Sequence, residues 1–207
     1  MKLSVVATMY RSSAFIEEFC ERITNTASQI VPDFEIVLVN DGSPDTSLMQ
    51  AVALSAADPR IVVVDLSRNF GHHAAIMAGL GQARGDLVYL TDIDLEEQPE
   101  WLATFHTELT AGGHDVVFGQ QAKRIGSAVD GLMGRAIWKL LNIGSLVRIP
   151  ENQMTCRLMT RRYLEALLSV GDRVLYLGGV FPWVGFDHKA LSLTKQPRTR
   201  SRTSSYT

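Results

Sequence analysis

The sequence predicts an α/β protein: a mainly parallel sheet with helices on both faces. Three observations predict it. Apolar runs rich in β-branched residues recur five times in the first 121 residues. Segments with apolar residues at helical spacing lie between them, and the connections are short. Strand and helix therefore alternate, the pattern of a parallel sheet covered on both sides. The 207 residues, 46% hydrophobic and 20% charged, suit one such domain with a sizeable core.

The elements follow in order. "LSVVATMY" (3–10) reads as a buried first strand. Residues 13–30 carry Phe15, Ile16, Phe19, Ile23 and Ile30 at helical spacing, with Ser12 or Ser13 to cap the start. "FEIVLVN" (34–40) is a second strand, "DGSPD" (41–45) is turn chemistry, and 46–58 is a helix. A third strand spans 60–67. In the helix over 71–83, Gly71, Ala74, Ala75, Ala78 and Gly79 form a face of little bulk that permits close packing on the sheet. A fourth strand spans 86–94, a helix 99–112 and a fifth strand 114–121. Beyond 122 the pattern weakens. Residues 126–147 read as an amphipathic helix pair, and 157–170 as a strand end or turn running into a helix. The apolar stretch 175–186 suits core, a subunit contact or a membrane-facing patch. Oligomeric state is left open, a homo-oligomer among the options. The Ser/Thr/Arg segment 194–207 reads as a flexible basic tail.

Charge and composition narrow the function. The net charge of −2 argues against a general polyanion binder. After Asp187 there is no acidic residue, while Lys189, Lys195, Arg198, Arg200 and Arg202 follow. Such an end suits solvent, a phosphate clamp or a membrane surface. Cys20 and Cys156 make no disulfide framework and no metal spacing, so a reducing compartment is expected. The N-terminus lacks the features of a secretory signal. No segment reaches the roughly 18 apolar residues of a membrane span. A G-x-G-x-x-G after the first strand, a P-loop and a G-x-S-x-G are all absent. With 8% aromatics and no basic–aromatic interleaving, nucleic acid is not the expected partner.

Ligands of such sheets bind outside the carboxyl ends of the strands. Tyr10, Asp41, Arg68 and Asp92–Asp94 all fall at those ends. On an extended chain Asp92 and Asp94 point the same way. Two carboxylates so placed can hold a hard cation such as Mg²⁺, with Glu96 joining directly or through water. The competing reading is a charged turn leading into a helix N-terminus, and spacing alone leaves both open. Asp41 stands where a carboxylate can accept hydrogen bonds from a base or ribose. Arg68 and Asn69 precede a helix start that favours anions. His72 and His73 diverge by about 100° on a helix, so they do not share one ion. Of Lys123, Arg124, Arg135, Arg157, Arg161 and Arg162, most read as solvated or paired, and a few have the fork geometry for phosphate oxygens.

Taken together, "VVATMY", "VNDGSPDTS", "RNFGHHAAIMAGL" joined to "GDLVYLTDIDLEEQPE", "DVVFGQQAKR" and "RLMTRRYLEAL" resemble glycosyltransferase family 2. The likeness is greatest to the branch that moves sugars from nucleotide donors to polyprenyl phosphates, the dolichol-phosphate mannosyltransferase and bactoprenol glucosyltransferase type. It covers nearly the whole chain. It implies the GT-A fold, a Rossmann-like sheet forming one catalytic domain over 1–193, with the basic tail 194–207 leading toward membrane segments. The chain stops where relatives continue into those segments, so a shortened member or a piece of a longer protein is expected.

The implied site is equally specific. Tyr10 and Asp41 meet the donor nucleoside, with Arg68 and Asn69 nearby. Asp92 lies near ribose and diphosphate and shares the Mg²⁺ or Mn²⁺ with Asp94 and Glu96. Arg124 and Arg135 match phosphate-binding positions, and Arg157 matches the Arg of an "FRL"-type motif. Thr155 stands where many relatives carry a candidate catalytic Asp. An acceptor phosphate, already anionic, needs little or no base, which makes Thr155 tolerable. The implied partners are a nucleotide-sugar donor, a UDP-sugar first, a polyprenyl phosphate or other lipid-linked acceptor, and the cytoplasmic face of the membrane. The alternatives are transfer to a glycan or lipid-linked saccharide, and an inactive nucleotide-sugar binding module.

Overall fold

The computed structural model describes residues 1–122, 147, 149–171 and 176–196. Four strand–helix pairs and a fifth strand open the chain: β1 (Leu3–Met9), α1 (Ile16–Ile30), β2 (Phe34–Asn40), α2 (Ser47–Ala57), β3 (Ile61–Asp65), α3 (His72–Gln82), β4 (Leu87–Asp92), α4 (Trp101–Gly112) and β5 (Val116–Gln121). Then come β6 (Gln153–Thr160), α5 (Arg161–Leu168), α6 (Leu177–Trp183) and β7 (His188–Leu193). The seven strands form one sheet in the order β3-β2-β1-β4-β6-β5-β7. β1 pairs in parallel with β2 and β4, β2 with β3, and β5 with β7. β6 runs antiparallel between β4 and β5.

The central apolar runs become strands because they are buried on both faces. Every residue of β1 and β2 is buried. One side of the sheet packs Phe19, Ile23, Tyr89, Phe105 and Leu158 beneath α1 and α4. The other packs Val6, Val39, Leu80, Leu164 and Phe181 beneath α3, α5 and α6. Burying each such side chain contributes about 1.5–3 kcal/mol. Gly79 justifies the small-residue face of α3: a Cβ there would stand 2.6 Å from both Val39 Cγ2 and Val6 Cγ1.

The structure corrects one expected strand end and fills in other expectations. β4 stops at Asp92, not 94, and Ile93–Gln98 turn away, with Leu95 at φ 62°. The extended-chain argument for two parallel carboxylates therefore does not hold, because Asp94 is no longer on the strand. Residues 157–170 divide into the end of a full strand, β6, and a helix capped by Thr160, whose hydroxyl accepts from Tyr163 N–H. β7 was not anticipated. Within 175–186, Leu177, Val180 and Phe181 are core, while Tyr176 and Trp183 are more than half exposed. The helix pair expected over 126–147 lies almost wholly outside the described residues, as do Arg124 and Arg135.

Candidate active site

The chain builds β1, β2 and β3 outward, then crosses back to lay β4 beside β1. That reversal is the switch point where α/β sheets open a crevice at strand carboxyl ends. Tyr10 follows β1 there, Asp41 follows β2 and Asp92 ends β4. Because β6 is antiparallel, it brings its first residues, Gln153 to Thr155, to the same edge.

Asp41 is fully buried. One carboxylate oxygen accepts from Phe70 N–H at 2.7 Å, the other from Gly71 N–H at 3.1 Å. It thus anchors the loop that carries Arg68 and Asn69. Gly42 lets this happen: it has φ 61°, and a Cβ on it would lie 2.5 Å from the Arg68 carbonyl carbon and the Asn69 nitrogen. Arg68 is exposed, its guanidinium 3.8 Å above the Phe70 ring. Asn69 is exposed beside it. Tyr10 is partly exposed, its N–H donating to Ser12 Oγ.

The acidic turn after β4 is the electrostatic centre. Asp92, Asp94 and Glu96 are each partly exposed, and Glu97 is completely buried. Asp94 accepts from Glu96 N–H at 3.2 Å, so it also stabilises its own turn. Glu97 bridges strands: it accepts from Asp92 N–H and Thr91 Oγ1 on β4 and from Thr155 N–H on β6. Burial, with Asp92 adding to it, raises the Glu97 carboxyl to about 7. Lys195 reaches in from beyond β7, 3.6 Å from Glu96 and from Glu97. Burial works against its charge, but Glu97, Asp92, Glu96 and Asp94 outweigh it and raise its pKa. His72 Nε2 lies 3.5 Å from Asp92, and its Nδ1 lies 3.2 Å from Thr8 Oγ1. Burial lowers the His72 imidazole despite Asp92.

Next to the turn opens a cleft of about 390 Å³. His72, His73, Thr155, Arg157, Tyr176 and Lys195 are among its lining residues. Arg157 is only 2% exposed. Its guanidinium donates to the carbonyls of Thr155 and Met154 and lies 3.2 Å from the centre of the Phe181 ring. Burial lowers it to about 10.

A hard divalent cation fits the chemistry of this turn. Its donors are carboxylate oxygens, and its field already holds one positive group, the Lys195 ammonium. Among the described residues no three His, Cys, Asp or Glu side chains converge on one point, so the set is not preassembled.

Of the expected site residues, the structure brings Asp92, Asp94, Glu96, Thr155 and Arg157 to one edge with the loop of Arg68 and Asn69. Sequence reasoning missed two. Glu97 was hidden in a run of acids, and nothing local distinguishes it from its neighbours. Lys195 looked like part of a tail.

The family model for Glycosyl transferase family 2 matches residues 4–168. The chain belongs to glycosyl transferase family 2. This glycosyltransferase chain is 43% identical over 195 residues to a Mycobacterium tuberculosis protein named among the glycosyltransferases, covering 94% of this chain and 57% of that one. It is 34% identical over 189 residues to a bactoprenol glucosyl transferase of Shigella phage SfV, covering 89% and 60%. The chain thus spans less than two thirds of the length of these curated relatives. A mannosyltransferase from Pyrobaculum calidifontis, solved with GDP-Man and Mn²⁺, superposes with TM-score 0.64 at 18% identity, covering 97% of this chain and 57% of that one. Glucosyl-3-phosphoglycerate synthase of Mycobacterium tuberculosis, solved with Mn²⁺, UDP and product, gives 0.63 at 20% identity, covering 97% and 73%. The fold is GT-A.

Proposed function

We propose that this domain transfers a sugar from a nucleotide-sugar donor, a UDP-sugar, to a polyprenyl phosphate, with inversion at the anomeric carbon. The observation that carries the reading is the acidic turn Asp92–Glu97 standing at the switch-point crevice, beside a cleft of about 390 Å³. The bactoprenol glucosyl transferases among its relatives support the lipid phosphate acceptor. The reading places the domain at the cytoplasmic face of a membrane. No helix among the described residues is long and apolar enough to cross one.

In this mechanism the nucleoside lies across Tyr10 and the loop of Arg68 and Asn69, which Asp41 holds in place. Asp92, Asp94 and Glu96 would hold Mg²⁺ or Mn²⁺. When bound, such an ion neutralises charge on the leaving diphosphate. Arg124 and Arg135 are assigned to phosphate binding. An acceptor phosphate oxygen attacks the anomeric carbon, the bond to the diphosphate breaks, and the nucleoside diphosphate departs. That oxygen is already anionic, so Thr155 has no proton to take. Arg157 is assigned the task of holding the carbonyls of Met154 and Thr155, which set the cleft wall.

The test is calorimetric titration of UDP and GDP, with and without Mn²⁺, into the native protein and Asp94→Ala. UDP is expected to bind only with Mn²⁺, and the variant to lose at least about 100-fold in affinity, near 2.7 kcal/mol. Failure of folded native protein to bind either nucleotide would remove the donor site from this chain.

A further inference from the structure

Lys195 enters the acidic turn from a different part of the chain. It lies two residues beyond the end of β7, yet its ammonium stands 3.6 Å from Glu96 Oε2 and 3.6 Å from Glu97 Oε1. The adjacent Gln196 N–H donates to the Glu96 carbonyl at 3.0 Å. Two consecutive residues are therefore fastened to the turn that carries Asp92, Asp94 and Glu96. The Lys195 side chain is 26% exposed, so the contact is shielded without being sealed off.

A buried carboxylate such as Glu97 needs a partner, and Lys195 supplies one. The same position is unfavourable once a divalent cation arrives. A protonated lysine has no lone pair to offer a metal. It also repels a cation at short range and engages one of the oxygens that cation needs. We infer that residues 194–196 form a strap. Its Lys195 ammonium is a tethered counter-ion that neutralises the metal-free acidic turn, competes with the divalent cation, and lifts away when metal and nucleotide bind. The inference rests on the metal assignment proposed above. It adds a competitor within the same site and a reason for the C-terminal segment to move.

Binding of Mn²⁺, read from the electron paramagnetic resonance signal of the free ion, tests it directly. The full 207-residue chain is compared with Lys195→Met and with Lys189→Met, a lysine paired with Glu108 away from the turn. Lys195→Met is expected to bind Mn²⁺ about tenfold tighter, inside the roughly 5- to 150-fold range of couplings between ligands. Lys189→Met is expected to match the wild type. Because Lys195→Met leaves Glu97 without this partner, the double variant Lys195→Met/Glu97→Gln is measured too, with the same tightening expected relative to Glu97→Gln alone. In the wild type, hydrogen exchange at the Gln196 amide, followed by NMR, is expected to quicken when Mn²⁺ and UDP are added.

Unchanged Mn²⁺ affinity in both comparisons, or a Gln196 amide equally protected with and without Mn²⁺ and UDP, overturns the strap and leaves the metal assignment standing. Absence of Mn²⁺ binding by any of the proteins, with UDP present, overturns both.

Discussion

Asp41 holds a loop thirty residues away with two hydrogen bonds to backbone amides, and Gly42 makes the approach possible. Alanine at position 42 meets two penalties. The left-handed backbone costs about 1–2 kcal/mol for a residue with a Cβ. That Cβ also collides with backbone atoms of Arg68 and Asn69, which cannot rotate aside as a side chain can. Gly42→Ala is expected to lose about 2 kcal/mol or more in urea denaturation. If the Arg68–Asn69 loop holds the donor as proposed, displacing it also weakens UDP binding in the calorimetric titration. Unchanged stability would show that the loop yields freely. At this scale the sequence was partly legible. Gly42 and Asp41 were recognisable as a strand-end turn, but the partners of the carboxylate were not.

The start of α2 is tied down by Asp45. Its carboxylate accepts from Ser43 Oγ, Ser47 Oγ, Ser47 N–H and Ser13 N–H, joining the turn to the residues before α1. Burial alone would raise this carboxyl, but the hydrogen bonds from Ser47 and Ser43 outweigh it and lower it from 3.8 to about 2. A pKa lower in the folded state means stability that is present above the ordinary carboxylate range and lost as pH falls toward the folded value. The stability gap between wild type and Asp45→Asn, measured by urea denaturation, is expected to be full above pH ~5 and to close toward pH ~2. A gap that does not narrow would mean the hydrogen bonds do not depend on the charge. Among the elements, β1 to β5 were legible as apolar runs and α1 to α4 as the segments between them. The alternation of Met154, Cys156 and Leu158, all buried in one cluster, was a readable sign of β6. β7 carries a weaker sign, because only Leu191 and Leu193 of its half-buried positions are apolar.

Across the whole molecule, the site depends on how closely the helix layers lie on the sheet. α3 carries His72 and His73 into the cleft and meets β1 and β2 at Gly79. Alanine there gains about 1 kcal/mol of helix propensity. It must also fit a Cβ 2.6 Å from Val39 and Val6, two fully buried side chains, and such overpacking typically costs about 1–3 kcal/mol. The clash wins, so Gly79→Ala is expected to lower stability by up to about 2 kcal/mol, a fall of roughly 4–8 °C in a thermal melt. A rise in melting temperature would mean that the sheet gives way at no cost.

The sequence by itself determined the class of fold and the sheet edge at which the polar strand ends gather. Both follow from local pattern: apolar runs that must be buried, and polar residues where those runs stop. Only the tertiary structure decided which polar residues meet. Asp41 with Gly71, Glu97 with Thr155, and Lys195 with Glu96 and Glu97 are separated by 30 residues or more along the chain. Nothing near any of them in the sequence names its partner. What brings them together is the close approach at Gly42 for the first pair, the antiparallel insertion of β6 beside β4 for the second, and the return of the chain after β7 for the third. Those pairings are set by the burial of whole faces, not by the residues that carry the charge.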